Sequence, residues 1–555
     1  MFQIRINKEL CIGCGYCTTL CPYKCFELRE RAPDDRRADL ASCHAACPMH
    51  NDIRGAIACY VQGEGSEASL TRAWRILSET NPMPAVVGRV CPNPCEAECH
   101  RQFLEGATNA GALERFVGDH GLRAGLRLSL LTSSSRAEKV AIIGSGPAGI
   151  SCAYQLRRRG YPVTIFEAQP DAGGMLRYGI PQYRLPRQVL DAEIRRVLEL
   201  GVELQTNITI GQHVQLEELE RDFQAIFVGI GCQAARRLNV PGEDASNVIS
   251  GIELLGRVNR GDPVEVAGQV IVIGGGNVAI DAARVCWRRG AESVSLFCLE
   301  SRKEMPAIQH EIEEALAEGV RLHDRYGVRR FLTQENQAQT VELVRCTSVG
   351  KEDGRYCPRF DESQLLSCPV SLVVVAAGQE PCVEGYAGKM RNLAEWMRVD
   401  DSCKTGIARV FAGGDATRLG LVAEAIGQGH RAALTIDAEL KGTQPSPSQG
   451  AVGLLERRGS QFAWTKPRRR AEQRVLPAKE RGFDPGNSSE EINRGIPDEI
   501  MLDTAKRCFS CGTAHAVVTK EPAEDCVACR SCQIRCAAFA IDILEEGSIC
   551  PQISG

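Results

Sequence analysis

The sequence predicts an α/β fold for most of this 555-residue chain, with cysteine-rich segments on either side. Two glycine-rich turns each follow an apolar strand and precede a helical pattern and a second strand, which is the order of a βαβ unit. The third observation is the count of 27 cysteines, a frequency that indicates a bound metal or redox group. At one to two hundred residues per domain, the length predicts roughly three to five domains.

Charge and hydropathy exclude several kinds of partner. The chain has 66 Lys and Arg against 70 Asp and Glu, so no basic excess exists to bind nucleic acid or an anionic membrane. The first residues, MFQIRINKEL, lack the apolar core of a secretory signal, and no apolar run is long enough to span a membrane. We therefore expect a reduced, cytoplasmic protein, in which cysteines at fixed spacing indicate metal or redox chemistry.

The first motif lies in residues 1–32 and predicts a ferredoxin-like segment. Its spacing is C-x2-C-x2-C-x3-C-P, the run that binds a [4Fe-4S] cluster in bacterial ferredoxins. The cysteines are Cys11, Cys14, Cys17 and Cys21. Zinc is the less favoured alternative, because a zinc site needs only four thiolates at looser spacing.

The same spacing returns in residues 506–555, where Ala537 replaces the trailing proline. The cysteines are Cys526, Cys529, Cys532 and Cys536. A half-ferredoxin of some thirty residues buries little core alone. Either each half docks on a larger domain, or the two ends meet in one unit, in which case Cys21 and Cys536 would each bind the opposite cluster.

Residues 33–135 form the third cysteine group and predict a helical iron–sulfur domain. Its cysteines are Cys43, Cys47, Cys91, Cys95 and Cys99. The segments NDIRGAIACYVQGE and SLTRAWRILSE have apolar residues at helical intervals, and NPMP and CPNP should place the cysteines in loops at helix ends. A zinc site using the nearby histidines is less favoured than solvated or core histidines. The twelve cysteines outside motifs are expected to pack as small hydrophobic residues.

The first nucleotide fold is predicted for residues 136–250 and 396–440. In KVAIIGSGPAGISCAYQLRRRGYPVTIFEA, a strand precedes Gly144-x-Gly146-x-x-Gly149, a helix follows, and Glu167 ends the next strand. The glycines let a pyrophosphate approach the backbone at a helix N-terminus, while the carboxylate accepts hydrogen bonds from a ribose diol. This arrangement is the dinucleotide fingerprint.

A second copy is predicted for residues 251–395, with Gly274, Gly276 and Ala279 at the glycine positions and Glu300 ending the next strand. Downstream, VFAGGDA places Asp415 after a strand, and the following helical pattern returns the chain to the first fold. The prediction is therefore two Rossmann-like folds, the second inserted in the first. Two fingerprints imply two dinucleotides.

Residues from about 43 to 437 resemble the glutamate synthase small subunit and the N-terminal part of dihydropyrimidine dehydrogenase. The strings that carry the resemblance are CPMHNDIRG, TNPMPAVVGRVCPNPCEAEC, IIGSGPAGIS, GGMLRYGIPQYRLP, LNVPGED, IGGGNVAIDAAR, EMPA and FAGGDA. The resemblance implies FAD in the first fold, a nicotinamide cofactor in the second and two [4Fe-4S] clusters in the helical domain. The implied FAD residues are Gly144, Ser145, Gly146, Pro147, Ala148, Glu167, Gly174, Met175, Arg184, Gly414 and Asp415, and the implied NAD residues are Gly274, Gly275, Gly276, Asn277, Val278, Glu300 and Arg302.

The chain departs from this family in its cysteines. The family has a CxxC pair before the Cys43 position, whereas the corresponding stretch of this chain, APDDRRADLAS, has none; a pair occurs instead in AKRCFSCG, at Cys508 and Cys511. By the resemblance, Cys508 and Cys511 complete a cluster with Cys43 and Cys99. The other cluster takes Cys47, Cys91, Cys95 and Glu114, for which a solvated helix carboxylate is the alternative interpretation. Fifteen motif cysteines and Glu114 make sixteen ligands, enough for four [4Fe-4S] clusters.

A second departure concerns the nicotinamide cofactor. Relatives that use NADPH have a basic pair where this chain has Leu299 and Glu300. A carboxylate repels a 2′-phosphate but can bind a free 2′-hydroxyl. We therefore expect NADH to be preferred over NADPH, with Arg302 as the residue able to reverse that preference.

The predicted function is electron transfer between NAD(H) and ferredoxin or a partner oxidoreductase, within a hetero-oligomeric complex. The partner would be a 2-oxoacid:ferredoxin oxidoreductase or a low-potential reductase, and the direction of flow is open. Flavin and clusters supply the chemistry, so no side-chain acid or base is required. A disulfide reductase is disfavoured because PDAGGMLRYGIPQYRLPRQ has no cysteine. The alternatives are a glutamate synthase small subunit and an iron–sulfur scaffold with a vestigial flavin site.

The last predicted segment, residues 441–505, has weak periodicity and clusters of Pro, Ser and charge. Such composition is typical of a solvated linker, which here would wrap the body and deliver Cys508. Its basic run TKPRRRAEQR is a solvated surface on the simpler interpretation, and a docking site for an acidic ferredoxin on the other.

Overall fold

The computed structural model describes residues 2–6, 26–30, 41–103, 105–352, 355–381, 396–444, 469–477, 481, 490–508, 514–518 and 541–545. The chain divides into two compact units. The first comprises residues 1–128, 446–474 and 495–555, and the second comprises residues 129–445 and 475–494.

The elements are numbered here in chain order. The strands are β1 (Phe2–Ile6), β2 (Phe26–Glu30), β3 (Val140–Ile143), β4 (Val163–Phe166), β5 (Glu203–Gln205), β6 (Ala225–Val228), β7 (Ala234–Ala235), β8 (Val248–Ser250), β9 (Gln269–Ile273), β10 (Ser293–Phe297), β11 (Arg321–His323), β12 (Tyr326–Gln334), β13 (Gln337–Glu352), β14 (Arg355–Pro369), β15 (Leu372–Val375), β16 (Gln379–Glu380), β17 (Val410–Ala412), β18 (Arg474–Val475), β19 (Asn493–Gly495), β20 (Ala514–Val518) and β21 (Ile541–Glu545). The α-helices are α1 (Ser42–Ala46), α2 (Ile53–Gln62), α3 (Glu67–Ser78), α4 (Pro84–Val90), α5 (Pro94–Ala97), α6 (Ala110–Arg123), α7 (Pro147–Arg158), α8 (Met175–Tyr178), α9 (Arg187–Leu198), α10 (Leu216–Asp222), α11 (Gly251–Arg260), α12 (Asn277–Arg288), α13 (Gln309–Glu318), α14 (Val422–Leu440) and α15 (Asp498–Ala505), with 3₁₀ turns at His100–Phe103 and Gly414–Ala416.

The second unit contains a five-stranded parallel sheet in the order β17-β6-β3-β4-β5. Its central strand β3 is buried along its whole length, which is why VAII is continuously apolar rather than alternating. Helices α7 and α14 pack against each other beside this sheet. The predicted α/β class is confirmed.

The same unit contains a second parallel sheet, in the order β11-β10-β9-β15-β8. All of its strands lie in the chain between β6 and β17, which are neighbours in the first sheet. The second fold is thus inserted in the first, as the sequence predicts.

An antiparallel sheet that the sequence analysis did not predict, β12-β13-β14, lies in the chain between β11 and β15 of the second fold. Phe331, Val341 and Leu343 are buried in one cluster with Ile271 and Val373 of the parallel sheet. The added sheet therefore covers apolar strand residues that water would otherwise reach.

The first unit contains the cysteine-rich helices. Both predicted helices are present, as α2 and α3, and they pack against each other. Asp52 caps α2 by accepting a hydrogen bond from Gly55 N at 2.8 Å. The loop prediction for the cysteines is only partly right, because Cys43 and Cys95 lie inside the one-turn helices α1 and α5.

The predicted linker 441–505 also differs in the structure, since its last part forms α15. Asp498 and Glu499 occupy the first turn of this helix, where carboxylates are favourable, and Met501 and Ala505 are buried. Within the first unit α15 packs against α2 and α6. Residues 445–468 of the predicted linker lie outside the described part of the chain.

Cysteines outside the motifs behave largely as the sequence predicts. Buried examples are Cys152, Cys232, Cys286, Cys298, Cys346 and Cys403, while Cys59, Cys357 and Cys368 are half-buried. Across the described residues, no helix combines the length and the apolar character that crossing a membrane requires.

Candidate cofactor sites

The first glycine loop joins β3 to α7 and opens a cavity at the carboxyl end of the sheet. Gly144 has φ +95°, and a Cβ there would lie 2.5 Å from the carbonyl oxygen of Gly229. A Cβ on Gly149 would lie 2.0 Å from the carbonyl oxygen of Gly144, so only glycine lets the helix approach the loop this closely. Gly146, in contrast, faces open space at the start of α7. This is the geometry that a pyrophosphate at a helix N-terminus requires.

Glu167 lies just after β4 and is held in a fixed orientation. Its Oε2 accepts a hydrogen bond from Ser145 N at 2.9 Å, and its Oε1 accepts one from Gln169 N at 2.8 Å. The carboxylate is 5% exposed and lines the cavity beside the loop. Its position suits a ribose diol, as the fingerprint predicts.

The cavity measures about 310 Å³ and is bounded mostly by apolar groups. Nine of the eleven residues predicted to contact FAD line it, namely Gly144, Gly146, Pro147, Ala148, Glu167, Gly174, Met175, Gly414 and Asp415. Ser145 is not part of the cavity wall, but its backbone N–H donates a hydrogen bond to Glu167 Oε2. These residues fit a flavin dinucleotide, because an open glycine loop, a ribose-facing carboxylate and an apolar chamber occur together.

Asp415 is the second carboxyl group that lines this chamber, beside Glu167. Burial raises the pKa of its carboxyl to about 6, although the hydrogen bond from Gly420 N at 3.1 Å opposes that rise. The group therefore holds a proton more readily than a solvated aspartate does.

Sequence reasoning missed part of the cavity wall. Gly231 and Gln233 line it after β6, and Leu421 and Val422 line it at the start of α14. The signal for the first pair was present, since VGIGCQ has two glycines directly after an apolar strand. Nothing in the local sequence marks the second pair.

Arg184 departs from its predicted role, because it does not line the cavity. Its guanidinium donates to Asp281 Oδ2 at 2.6 Å and to Glu311, which lie on α12 and α13 of the inserted fold. Both carboxyl pKa values are raised by burial, and Arg184 opposes the rise. In this structure Arg184 joins the two nucleotide folds instead of contacting the flavin cavity.

The second glycine loop follows β9 and opens α12. Gly274 lies against Ala376, while Gly276 faces open space. Asn277 accepts a hydrogen bond from Ile308 N at 2.8 Å and so ties the helix start to the segment that contains EMPA. Val278 lies beside Gly251. The loop has the form that a second dinucleotide requires.

Glu300 lies over this second loop, whereas Arg302 is directed elsewhere. A Cβ on Gly275 would lie 2.6 Å from Glu300 Oε2, so the carboxylate rests against the loop backbone. Arg302 Nη1 donates to Gln309 Oε1 at 3.1 Å. The charged group that lies against the glycine turn is thus a carboxylate.

Four predicted cluster ligands of the first unit line a small common cavity of about 40 Å³. They are Cys43, Cys99 and Cys508, which were predicted to share one cluster, and Cys95, which was predicted to bind the other. Burial raises the pKa of the Cys43 thiol, and the neighbouring thiols of Cys508 and Cys99 raise it further. Buried thiols that oppose one another's ionisation are suited to a metal, which supplies the compensating positive charge.

The other predicted group comprises Cys47, Cys91, Cys95 and Glu114. The pKa of Cys47 is raised to about 11 and that of Cys91 to about 12, mainly by burial and in part by the Glu114 carboxyl. Burial likewise raises the pKa of Cys95, with Cys47 as the largest charged cause. The four residues are therefore electrostatic neighbours, as the resemblance implies.

Glu114 is buried at 7% exposure, so it is not a solvated helix carboxylate. Its Oε1 accepts hydrogen bonds from Asn51 Nδ2 at 2.7 Å and Asn81 Nδ2 at 2.9 Å. Burial raises its pKa to about 7, while both amides act to lower it. Two amides holding one carboxylate oxygen orient the group as second-sphere partners orient a metal ligand.

The segment that contains Cys508 is anchored within the first unit by the neighbouring residue Arg507, which is 1% exposed. The Arg507 guanidinium donates to Gly106 O at 2.7 Å and Ala107 O at 2.9 Å, and to Glu105 Oε1 at 3.2 Å. Arg101 in turn donates to the carbonyl oxygen of Arg507 at 2.8 Å. These bonds fix the segment that brings Cys508 beside Cys43 and Cys99.

The two chain ends meet in the first unit. Strand β1 pairs antiparallel with β21, with Ile4 opposite Ile543, and β2 pairs antiparallel with β20, with Leu28 opposite Ala516. Of the two arrangements that the sequence left open, the strands therefore favour one ferredoxin-like unit. The predicted ligands Cys11, Cys14, Cys17, Cys21, Cys511, Cys526, Cys529, Cys532 and Cys536 lie outside the described residues.

A single-ion site is not found in the part of the chain that the structure describes: no three Cys, His, Asp or Glu side chains there converge on one point. The zinc alternative through His44, His50 and His100 gains no support. His100, for example, contacts Ser42 Oγ at 2.9 Å, and burial lowers its pKa. Thiolates of a cluster bind separate irons, so they do not need to converge in this way.

Three segments of the chain match models of known protein families. Residues 138–429 match the pyridine nucleotide-disulphide oxidoreductase model, residues 37–126 match the dihydropyrimidine dehydrogenase domain II, 4Fe-4S cluster model, and residues 4–27 match the 4Fe-4S binding domain model.

Curated relatives agree with these matches. The chain is 35% identical to the NADP(+)-dependent formate dehydrogenase subunit beta of Moorella thermoacetica, over 85% of this chain and 70% of that protein. It is 33% identical to the NADPH-Fe(3+) oxidoreductase subunit beta of Geobacter sulfurreducens, over 85% and 75%. It is 31% identical to the glutamate synthase [NADPH] small chain of Escherichia coli, over 78% and 90%. Among solved structures, FprA from Mycobacterium tuberculosis shares the fold at a TM-score of 0.50 and 18% identity, over 55% of this chain and 85% of that one.

Proposed function

Because the chain belongs to the pyridine nucleotide-disulphide oxidoreductase family, within its FAD and iron–sulfur electron-transfer subunits, we propose that it passes electrons between NAD(H) and ferredoxin or a partner oxidoreductase. When bound, FAD supplies the ability to take up a hydride and to release its two electrons singly, and clusters accept single electrons. The protein's own groups bind and orient these cofactors.

The observation that carries the proposal is the pair of buried thiol groups, in a chain that also has the flavin-type cavity. One group contains Cys43, Cys99 and Cys508, and the other contains Cys47, Cys91, Cys95 and Glu114. Thiols do not normally cluster in buried sites whose electrostatics oppose their ionisation unless a metal offsets that cost. The flavin-type cavity is evidence against a scaffold with a vestigial flavin site, because its walls retain the open glycine loop and Glu167.

The proposal includes four [4Fe-4S] clusters. Two belong to the helical domain, with Cys511 completing the Cys43 group, and two to the terminal motifs, where Cys21 and Cys536 would exchange clusters if the paired strands bring the halves together. Iron analysis of the anaerobically purified chain should give about sixteen atoms per polypeptide. A content of eight would mean that the terminal motifs bind none.

We propose NADH as the preferred cofactor. The basis is Glu300, whose carboxylate rests against Gly275 where the adenosine ribose approaches a glycine loop of this kind. The relatives are named for NADP(+) or NADPH, so this preference is a proposal about the chain's own Glu300. The ratio of kcat/KM for NADH to that for NADPH tests it, and a ratio below one would contradict it.

We propose a hetero-oligomeric complex. The curated relatives are named as subunits or chains, which supports a partner for this chain too. A glutamate synthase small subunit is the rival assignment, and the terminal cysteine runs and Glu300 stand against it. Strand β1 precedes the first of these cysteine runs in the chain, and it pairs with β21, which follows the last.

The deciding experiment is purification from native cells followed by identification of the co-purified polypeptides and anaerobic titration with NADH. We expect a low-potential oxidoreductase to co-purify and the yellow flavin absorbance to bleach. Co-purification of a glutaminase-type large subunit would establish the rival. An absorbance unchanged by NADH and NADPH would eliminate the electron-transfer proposal.

A further inference from the structure

The charges around the two thiol groups of the helical domain differ in sign. We propose that Arg54 raises the reduction potential of the cluster at Cys43, Cys99 and Cys508 above that of the cluster at Cys47, Cys91, Cys95 and Glu114. This inference rests on the proposed function, since it assumes that both groups bind clusters.

Arg54 is placed to act mainly on one of the two groups. It lies in the first turn of α2 and is 4% exposed. It lines the small cavity that contains three thiols of this group, Cys43, Cys99 and Cys508, and a single thiol of the other group, Cys95. Among the charges that act on the Cys43 thiol, the guanidinium is the largest apart from the neighbouring thiols, and it lowers the pKa of that thiol. An arginine keeps its charge at any ordinary pH, so this positive field is permanent.

The second group has an anionic surrounding. The charges beside Cys91 and Cys95, apart from other thiols, are the carboxylates of Glu114 and Glu96, and each raises the pKa of both thiols. Glu96 is also paired with Arg470, at 2.5 Å, which offsets part of its negative charge. A carboxylate ligand and a buried guanidinium thus act in opposite directions on the two groups.

Asp52 partly offsets Arg54, because its Oδ1 lies 3.4 Å from Arg54 Nη2 and it raises the pKa of Cys43. Its effect on Cys43 ranks below that of Arg54, and its side chain is 32% exposed against 5% for Arg54. Its Oδ1 is also occupied in capping α2 through Gly55 N. Water screens the exposed carboxylate more than the buried guanidinium, so the positive charge prevails.

A buried positive charge stabilises the reduced form of a cluster, which has one more negative charge than the oxidised form. Each tenfold change in the one-electron equilibrium corresponds to about 59 mV. We expect removal of the Arg54 charge to move that equilibrium at least tenfold towards the oxidised form at this cluster. The cluster of the Glu114 group should change less than threefold.

The test is an anaerobic redox titration of the full-length chain, followed by electron paramagnetic resonance. Arg54→Met removes the charge with a side chain of similar length, Arg54→Lys keeps the charge, and Arg75→Met removes an exposed arginine of α3 as the matched control. Cys43→Ser assigns the signal of the cluster in question. A lower midpoint in Arg54→Met that Arg54→Lys and Arg75→Met do not share would support the proposal.

An unchanged midpoint in Arg54→Met with full iron content would overturn the inference and leave the proposed function intact. If Cys43→Ser alters neither iron content nor spectrum, the cluster assignment itself fails and the inference with it. If Arg54→Met loses iron, Arg54→Gln replaces it in the titration. If both neutral variants lose iron while Arg54→Lys retains it, the charge serves assembly, and the proposed effect on potential is wrong.

Discussion

Replacing Arg507 by methionine should release the segment that holds Cys508. The substitution keeps the stem of the side chain but removes the donors to Gly106 O, Ala107 O and Glu105. Removing one partner from a buried charged network costs about 3–5 kcal/mol. Glu105 retains Arg101 Nε at 2.6 Å, so no carboxylate is left without a cation, and we expect the lower end, about 3 kcal/mol.

Hydrogen exchange followed by mass spectrometry measures this effect on residues 498–508, where Cys508 N donates to Ala505 O at 3.0 Å. Since 1.4 kcal/mol corresponds to a factor of ten, exchange of the last turn of α15 should accelerate roughly a hundredfold. Lys506→Met is the control, because its ion pair with Asp503 is exposed and should contribute less than about 0.5 kcal/mol. An acceleration below threefold in Arg507→Met, or an equal one in Lys506→Met, would refute the anchoring role.

Three further substitutions test the nucleotide folds. Glu300→Arg should shift the kcat/KM ratio towards NADPH by about tenfold to a hundredfold, the effect of about 1.5–3 kcal/mol from a charged hydrogen bond to the 2′-phosphate; an unchanged ratio in steady-state assays would contradict it. Since the folded-state pKa of Asp415 is raised to about 6 from an ordinary 3.8, the stability that its protonation provides is complete below pH 3.8 and is lost as pH rises through 6. Asp415→Asn should therefore raise the Tm of the flavin-free chain at pH 7 relative to the wild type, with a smaller gain at pH 4, and equal gains at both pH values would count against this. Gly149→Ala would place a Cβ 2.0 Å from Gly144 O, so it should lower the flavin content and reduce the free energy of unfolding by about 1–3 kcal/mol. Gly256→Ala on α11 is the control, because a Cβ there has room and should cause neither loss. Flavin absorbance per chain and chemical unfolding compare the two variants.

Short-range patterns explain what the sequence could predict. The glycine loops and the helices α2 and α3 follow from spacing within some thirty residues, and the inserted order of the folds follows from the order in which such local patterns occur along the chain. Glu114 needed the family resemblance to be noticed, and its burial between Asn51 and Asn81 became visible only in three dimensions.

Long-range packing explains what the sequence could not predict. Arg184 lies in a string shared with FAD-binding relatives, yet its guanidinium meets Asp281 and Glu311, about one hundred residues later. The helix α15 has a weak pattern of its own and is stabilised by contacts with α2 and α6. Secondary structure that depends on tertiary contacts in this way is not encoded in its local sequence.

The pairing of β1 with β21 constrains how the protein can be made. Phe2 pairs with Glu545, so β1 leaves the ribosome about 540 residues before the strand with which it pairs. At about 5–20 residues per second, synthesis of that stretch takes about 30–110 s, during which β1 cannot form its pairing with β21. Cluster loading at the two terminal motifs is therefore expected to wait until β21 has been synthesised, and deletion of either β1 or β21 should impair both motifs.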